Sequence, residues 1–147
     1  MQLMNLEEIV DMWDKDAPID DTEPGKTMIN IPQLHAKYAK QLVGHSLASK
    51  AKYGAYTALR KFKYDYFTGK LSDQDLIKHG LEPFRLLLKA DVSTYIDADP
   101  EVLALKAKIA LHDESAEMCR MILKELNNRV WEIKAFIEWE RFIQGSG

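Results

Sequence analysis

Cysteine is nearly absent from these 147 residues, with Cys119 the only one. One thiol cannot close a disulfide or build a Cys-based zinc site within a single copy, so a disulfide scaffold is excluded and a reducing compartment is the expected setting. Long apolar runs are missing too. None approaches the roughly 18 residues needed to cross a bilayer, and the N-terminus shows no basic-then-apolar signal pattern, which leads us to expect a cytoplasmic protein. No long acidic or basic tail is present, and 46% hydrophobic against 29% charged residues suits one compact globular domain.

The motifs of catalysis and metal binding are equally scarce. His35, His45, His79 and His112 are scattered, with no metal-ligand spacing among them. Gly25-Lys26-Thr27 resembles the end of a phosphate-binding loop, but Asp20 stands where the first glycine would be, and a carboxylate there repels phosphate. Asp97, Asp99 and Glu101 alternate like calcium ligands without the glycine and later glutamate of a calcium loop; they read more simply as acids at a helix N-terminus. No nucleophile motif is written locally, so no enzyme, cofactor or metal is expected.

What is present is an uneven distribution of charge. Residues 1–34 carry eight acids and two bases, whereas 36–70 carry eight bases and one acid, a net +7. The segments 71–100 and 101–147 return to -3 and -1. A basic block inside an acidic chain points to a local site for a polyanion.

Periodicity places this block on a helix, in a chain that reads as mainly α. Asn5 and Glu8 form a capping box ahead of a short helix over about 6–15, and the turn-rich stretch 16–26 follows. From Ile31-Pro32 the pattern is helical, its phase slipping near Gly44 and Ser46, so 33–68 reads as one helix or two. On the wheel, Leu47, Ala48, Ala51, Ala55, Ala58, Leu59, Phe62 and Tyr66 share about one third of the circumference, an expected buried face. Lys52, Tyr53, Tyr56, Arg60 and Lys63 share a separate sector, and Gly69 suits a helix stop. Ser72 and Asp75 cap a turn or two ending at Gly80. Leu86-Leu87-Leu88 and 92–96 read as short buried strands or as irregular helix, a short strand or hairpin near 84–97 being favoured. Asp99 and Pro100 then open a helix free of Gly and Pro until Gly145, about 65 Å long. The expected division is 1–99 as an N-terminal helical region and 100–147 as a C-terminal helix.

The apolar residues of that last helix cover about half its circumference, more than one contact requires. Met118, Ile122, Leu126, Ile133, Phe136, Ile137 and Trp139 form the expected seam between subunits of an oligomer, with Glu125 and Arg129 at pairing distance in the helix and suited to setting register. The alternative is one face covering the rest of the chain, with the charges snorkelling.

A basic helix surface with interleaved aromatics suits single-stranded nucleic acid, because cations track phosphates while rings stack on unpaired bases. The candidate residues are Lys50, Lys52, Arg60, Lys61, Lys63 and Lys70 for charge, and Tyr53, Tyr56 and Tyr64 for stacking. The competing reading is a structural oligomer or adaptor whose basic segment docks an acidic protein partner.

The sequence resembles the UvsY-type recombination mediators of T4-like bacteriophages, through pieces that run almost end to end. They are Trp13-x-x-Asp16-x-x-Ile19-Asp20, Ile31-Pro32-x-Leu34-His35-x-Lys37-Tyr38, Lys61-x-Lys63-x-Asp65-Tyr66-Phe67-Thr68-Gly69-Lys70-Leu71, Glu82-Pro83-Phe84, Asp97-x-Asp99, and Leu126-Asn127-Asn128-Arg129-x-Trp131-x-Ile133-Lys134 through Ile137-Glu138-Trp139-x-x-Phe142. The resemblance implies a non-enzymatic mediator that binds single-stranded DNA, contacts a RecA-like phage recombinase and the phage single-strand-binding protein, and helps the first replace the second in the cytoplasm of the infected bacterial host. It also implies a ring-shaped homo-oligomer, hexamer or heptamer, held by the C-terminal helix, and a DNA-binding segment whose basic positions fall on Lys61 and Lys63.

Overall fold

The computed structural model describes residues 2–86 and 88–145. Five helices account for most of them: α1 (Leu6–Asp16), α2 (Pro24–Phe67), α3 (Asp73–His79), α4 (Val92–Asp97), entered through a 3-10 turn at Lys89–Asp91, and α5 (Pro100–Ile143). The mainly α class holds. Among the described residues there is no strand; of the short strand or hairpin expected near 84–97, Leu87 lies outside the described residues, and Lys89–Asp97 forms the 3-10 turn and α4. Val92 and Ile96, four apart, turn inward together on that helix and leave Tyr95 outside.

Local chemistry sets the boundaries. The Asn5 side chain accepts the Glu8 N–H at 2.8 Å, and Ser72 accepts that of Asp75 at 3.1 Å. Asp99 Oδ1 takes the N–H groups of Glu101 and Val102 at 3.0 and 3.2 Å, satisfying two of the orphan donors that open α5. At the end of α2, Gly69 adopts φ +72°, which lets the Lys70 N–H reach the Asp65 carbonyl at 2.8 Å and the Gly69 N–H that of Tyr66 at 3.2 Å.

Helix α2 is a single helix through 24–67, and it begins earlier than the sequence pattern indicated. Pro24 occupies its first position, where a missing N–H costs nothing, and the Glu23 carbonyl accepts the Thr27 N–H at 3.2 Å. Pro32 lies inside the helix rather than at its start. The neighbouring Ile31 and Tyr38, both buried, hold the helix through a residue that removes one of its hydrogen bonds.

The chain forms two compact units, Met1–Leu47 with Leu111–Gly147, and Ala48–Ala110. Helices α2 and α5 each contribute to both units. In the first unit Ile9 of α1, Tyr38 of α2, and Cys119, Ile122 and Leu126 of α5 form a closed core, padded by Met12, Trp13, Leu34, Leu42, Met118 and Leu123. Each such side chain removed from water contributes about 1.5–3 kcal/mol. Burial pushes the Cys119 thiol up to about 11, so the lone cysteine is a small apolar filler and not a nucleophile. Burial, reinforced by the Asp16 carboxylate that accepts its proton at 2.8 Å, also drives the Tyr38 phenol well above its ordinary range. The extended N-terminal segment is pinned to α2: Gln41 accepts the Met4 N–H at 2.9 Å, and His45 donates through Nε2 to the Met4 carbonyl at 2.8 Å.

Part of the expected seam lies in or against this core. Ile122, Leu126, Arg129 and Ile133 are buried within the chain itself, and Met118 packs on the same core, so these residues serve the covering role that was the alternative reading. Arg129 caps α1 rather than pairing with Glu125. Its guanidinium donates to the Ala17 carbonyl at 2.6 Å and the Asp16 carbonyl at 3.4 Å, and lies 5.4 Å from the Trp13 ring centroid. Phe136 and Ile137 are half-buried, while Glu125, Trp131, Trp139, Phe142 and Ile143 are exposed.

The second unit closes on Phe67, Val92, Ile96 and Val102, with Tyr56, Leu59, Tyr66 and Leu86 packed around them. The expected buried face of α2 is therefore displaced. Leu47, Ala51, Ala55 and Ala58 are exposed, and the inward residues are Tyr56, Leu59, Lys63, Tyr66 and Phe67, a face rotated by about a quarter turn. That rotation brings part of the basic sector inside, and acids from the α4–α5 junction meet it.

Candidate functional site

All nine residues proposed to touch nucleic acid lie in the second unit, on α2 or just beyond its end. They fall into two groups. Lys63 is buried, its ammonium 3.1 Å from Asp99 Oδ2 and 3.4 Å from Glu101 Oε1. Since Asp99 Oδ1 caps α5, its two oxygens join that helix to α2 through Lys63. Arg60 donates to Asp97 at 2.7 Å and to the Tyr56 hydroxyl at 3.3 Å, and the Asp97 carboxylate pushes its already high pKa further up. Lys61 pairs with Asp65 one turn along α2 at 2.6 Å, while its own side chain stays open to solvent. Tyr56 is half-buried against the core of the unit.

The other group faces outward. Lys50 is exposed and Lys52 half-exposed, and the Tyr53 ring, 60% exposed, lies 5.8 Å from that of Tyr56. Tyr64 and Lys70 are exposed at the end of α2, with the ammonium 5.0 Å from the ring centroid. Among the described residues no carboxylate lies within ion-pair distance of Lys50, Lys52 or Lys70. These three cations and two rings can meet a phosphate backbone and unpaired bases without first breaking an ion pair. Among the described residues there is no cluster of His, Cys, Asp and Glu able to hold a metal.

Sequence reasoning passed over Arg85 and Lys89, because both sit in a segment of net negative charge. Arg85 is exposed and its stem crosses Gly69, where a Cβ would stand 3.4 Å from Arg85 Cδ. Lys89 is exposed on the 3-10 turn. The contact with Gly69 brings the Arg85 stem against the turn that ends α2, one residue before Lys70.

The helical order and topology match solved structures of the bacteriophage T4 recombination mediator protein UvsY. The lattice type II crystal structure superposes with a TM-score of 0.83 at 19% identity, over 96% of this chain and 98% of that one. The lattice type IV and type I structures give TM-scores of 0.80 and 0.78, at 19% and 18% identity, covering 95% and 92% of this chain and 98% of each of theirs. At these identities the likeness establishes the fold. A sequence search of curated proteins returns no match. The family model described as "Recombination, repair and ssDNA binding protein UvsY" matches residues 12–146, nearly the full length on which the helices, the Lys63 staple and the basic end of α2 lie, and the chain belongs to the UvsY family.

Proposed function

We propose that this protein is a recombination mediator that binds single-stranded DNA and helps load a RecA-like phage recombinase onto DNA covered by the phage single-strand-binding protein. Family membership supports the recombination and repair role. The observation that carries the binding step is the outward group on the second unit, Lys50, Lys52, Tyr53, Tyr64 and Lys70, which leaves charge and ring faces open together. Lys61 can join them once its exposed pair with Asp65 opens, since such a pair is held by about 1 kcal/mol or less. Lys63 acts beneath that surface, fixing α2 against the start of α5.

The mechanism is binding and positioning, with no bond made or broken. One such patch is weak. A homo-oligomeric ring, hexamer or heptamer, presents several patches to one strand, so that each added contact is intramolecular and affinity rises steeply. The exposed aromatic end of α5, where Trp139 and Phe142 stack at 5.8 Å, supplies apolar surface for the neighbouring subunit. Among the described residues no helix is long and apolar enough to cross a membrane, and the proposed place of action is the cytoplasm of the infected bacterial host.

The test is the recombinase's DNA-dependent ATP hydrolysis on single-stranded DNA already coated with the phage single-strand-binding protein. Addition of this protein should shorten the lag before steady hydrolysis. An unchanged lag, with the protein bound to an acidic partner instead of to DNA, would replace the mediator reading with the adaptor one.

A further inference from the structure

The second unit also exposes aromatic surface on the segment before α4 and on α4 itself. Phe84 stacks on Tyr66 with centroids 5.7 Å apart and an interplanar angle of 28°, and it meets Phe67 edge-on at 5.6 Å and Tyr95 at 6.3 Å. Tyr95 also meets Phe67 at 5.7 Å. These contacts still leave Phe84 39% and Tyr95 47% exposed. Both rings thus keep part of their surface open to solvent beside one another.

The segment bearing Phe84 is held at both ends. The Leu86 N–H donates to the Phe67 carbonyl at 2.9 Å, and the Tyr66 hydroxyl donates to the Glu82 carbonyl at 2.9 Å. The rings are thus fixed before any ligand arrives, and a ligand that covers them pays little ordering entropy. Cations belong to the same stretch of chain: Arg85 follows Phe84 and its stem lies against Gly69, the residue before Lys70, and Lys89 lies in the 3-10 turn that leads into α4. Among the described residues no carboxylate is within ion-pair distance of Arg85 or Lys89, although Glu82 and Asp91 belong to the same segment.

We infer that Phe84 and Tyr95 form a stacking platform for the bases of single-stranded DNA, with Arg85 and Lys70 taking the adjoining phosphates. The inference rests on the DNA-binding reading above and extends that site from α2 onto the segment before α4. Rings and cations interleaved on a fixed surface fit unpaired nucleic acid, in which both bases and phosphates are open. With two acids in the same segment, ring stacking is the larger contribution and phosphate contact the smaller.

The experiment uses the full-length protein and fluorescein-labelled oligothymidylate. Phe84→Leu with Tyr95→Leu keeps apolar volume over Phe67 but removes the stacking faces. Affinity should fall about tenfold or more, with the slope of log affinity against log salt unchanged. Arg85→Gln, which keeps most of the stem over Gly69, should instead lower that slope by about 0.7. Photocrosslinking of 5-iodouracil-substituted DNA to the unaltered protein should attach it to the peptides holding Phe84 and Tyr95, a readout independent of how the variants fold. Normal affinity in the leucine variant, or crosslinks only on 50–64, overturns the platform and leaves DNA binding in place. Failure of the unaltered protein to bind overturns both.

Discussion

Replacing Lys63 with alanine should cost about 3 kcal/mol of folding stability, because it strands the Asp99 carboxylate without its partner at a nearly dry site. Asp99 and Lys63 side chains are each 11% exposed, and the same Asp99 caps α5, so the damage extends to the N-terminus of that helix. Lys61→Ala should cost less than about 1 kcal/mol, its pair with Asp65 being one turn away with the lysine in water. The contrast separates two meanings of weakened DNA binding. In thermal unfolding Lys63→Ala should lower the midpoint by several degrees and Lys61→Ala hardly at all. Where both variants are folded, Lys61→Ala should reduce the salt slope by about 0.7. Equal, small shifts in melting for the two would show that the Lys63 staple contributes nothing.

Replacing Trp139 and Phe142 with serine should reduce the mass of the particle in solution without unfolding the chain. Both rings are exposed, at 58% and 70%, and stack on each other at the end of α5, so the chain's own core loses nothing. In an assembly that buries them, each ring contributes on the order of 1.5–3 kcal/mol per contact. Sedimentation should show smaller species with the helical circular dichroism retained. Ile133→Asp would be a poor substitute. Ile133 is 3% exposed inside the first unit, and a carboxylate there should unfold that unit rather than part subunits. A mass unchanged by the Trp139/Phe142 double variant would remove this end of α5 from the assembly.

The sequence was legible where the determinant is local. Asn5, Ser72, Asp99 and Gly69 mark helix boundaries through hydrogen bonds that reach only two to five residues, and each is found in its expected role. The inward face of α2 was not legible, because its choice depends on Asp97 and Glu101, 37 and 38 residues beyond Arg60 and Lys63. An apolar stripe of alanines looks like the better buried face until those acids are placed. The same distance hid the role of Arg129, whose carbonyl partners stand 112 and 113 residues earlier. Half of the broad stripe on α5 therefore served the core of its own chain, where the pattern alone had suggested a seam between chains. Near 84–97 the spacing of Val92 and Ile96 did carry a helical signal, masked by the run Leu86-Leu87-Leu88 beside it. The candidate residues lie in one unit, but Lys63 and Arg60 are engaged with acids there and Tyr56 packs on its core, while Lys50, Tyr53, Tyr64 and Lys70 are exposed and Lys52 is half-exposed.

The most direct measurement is the affinity of the unaltered protein for a labelled single-stranded oligonucleotide at several salt concentrations. The surface described here predicts tight binding at low salt, little dependence on base sequence, and a straight fall of log affinity with log salt at about 0.7 for each phosphate engaged. Absence of binding at low ionic strength, or an affinity indifferent to salt, would contradict it.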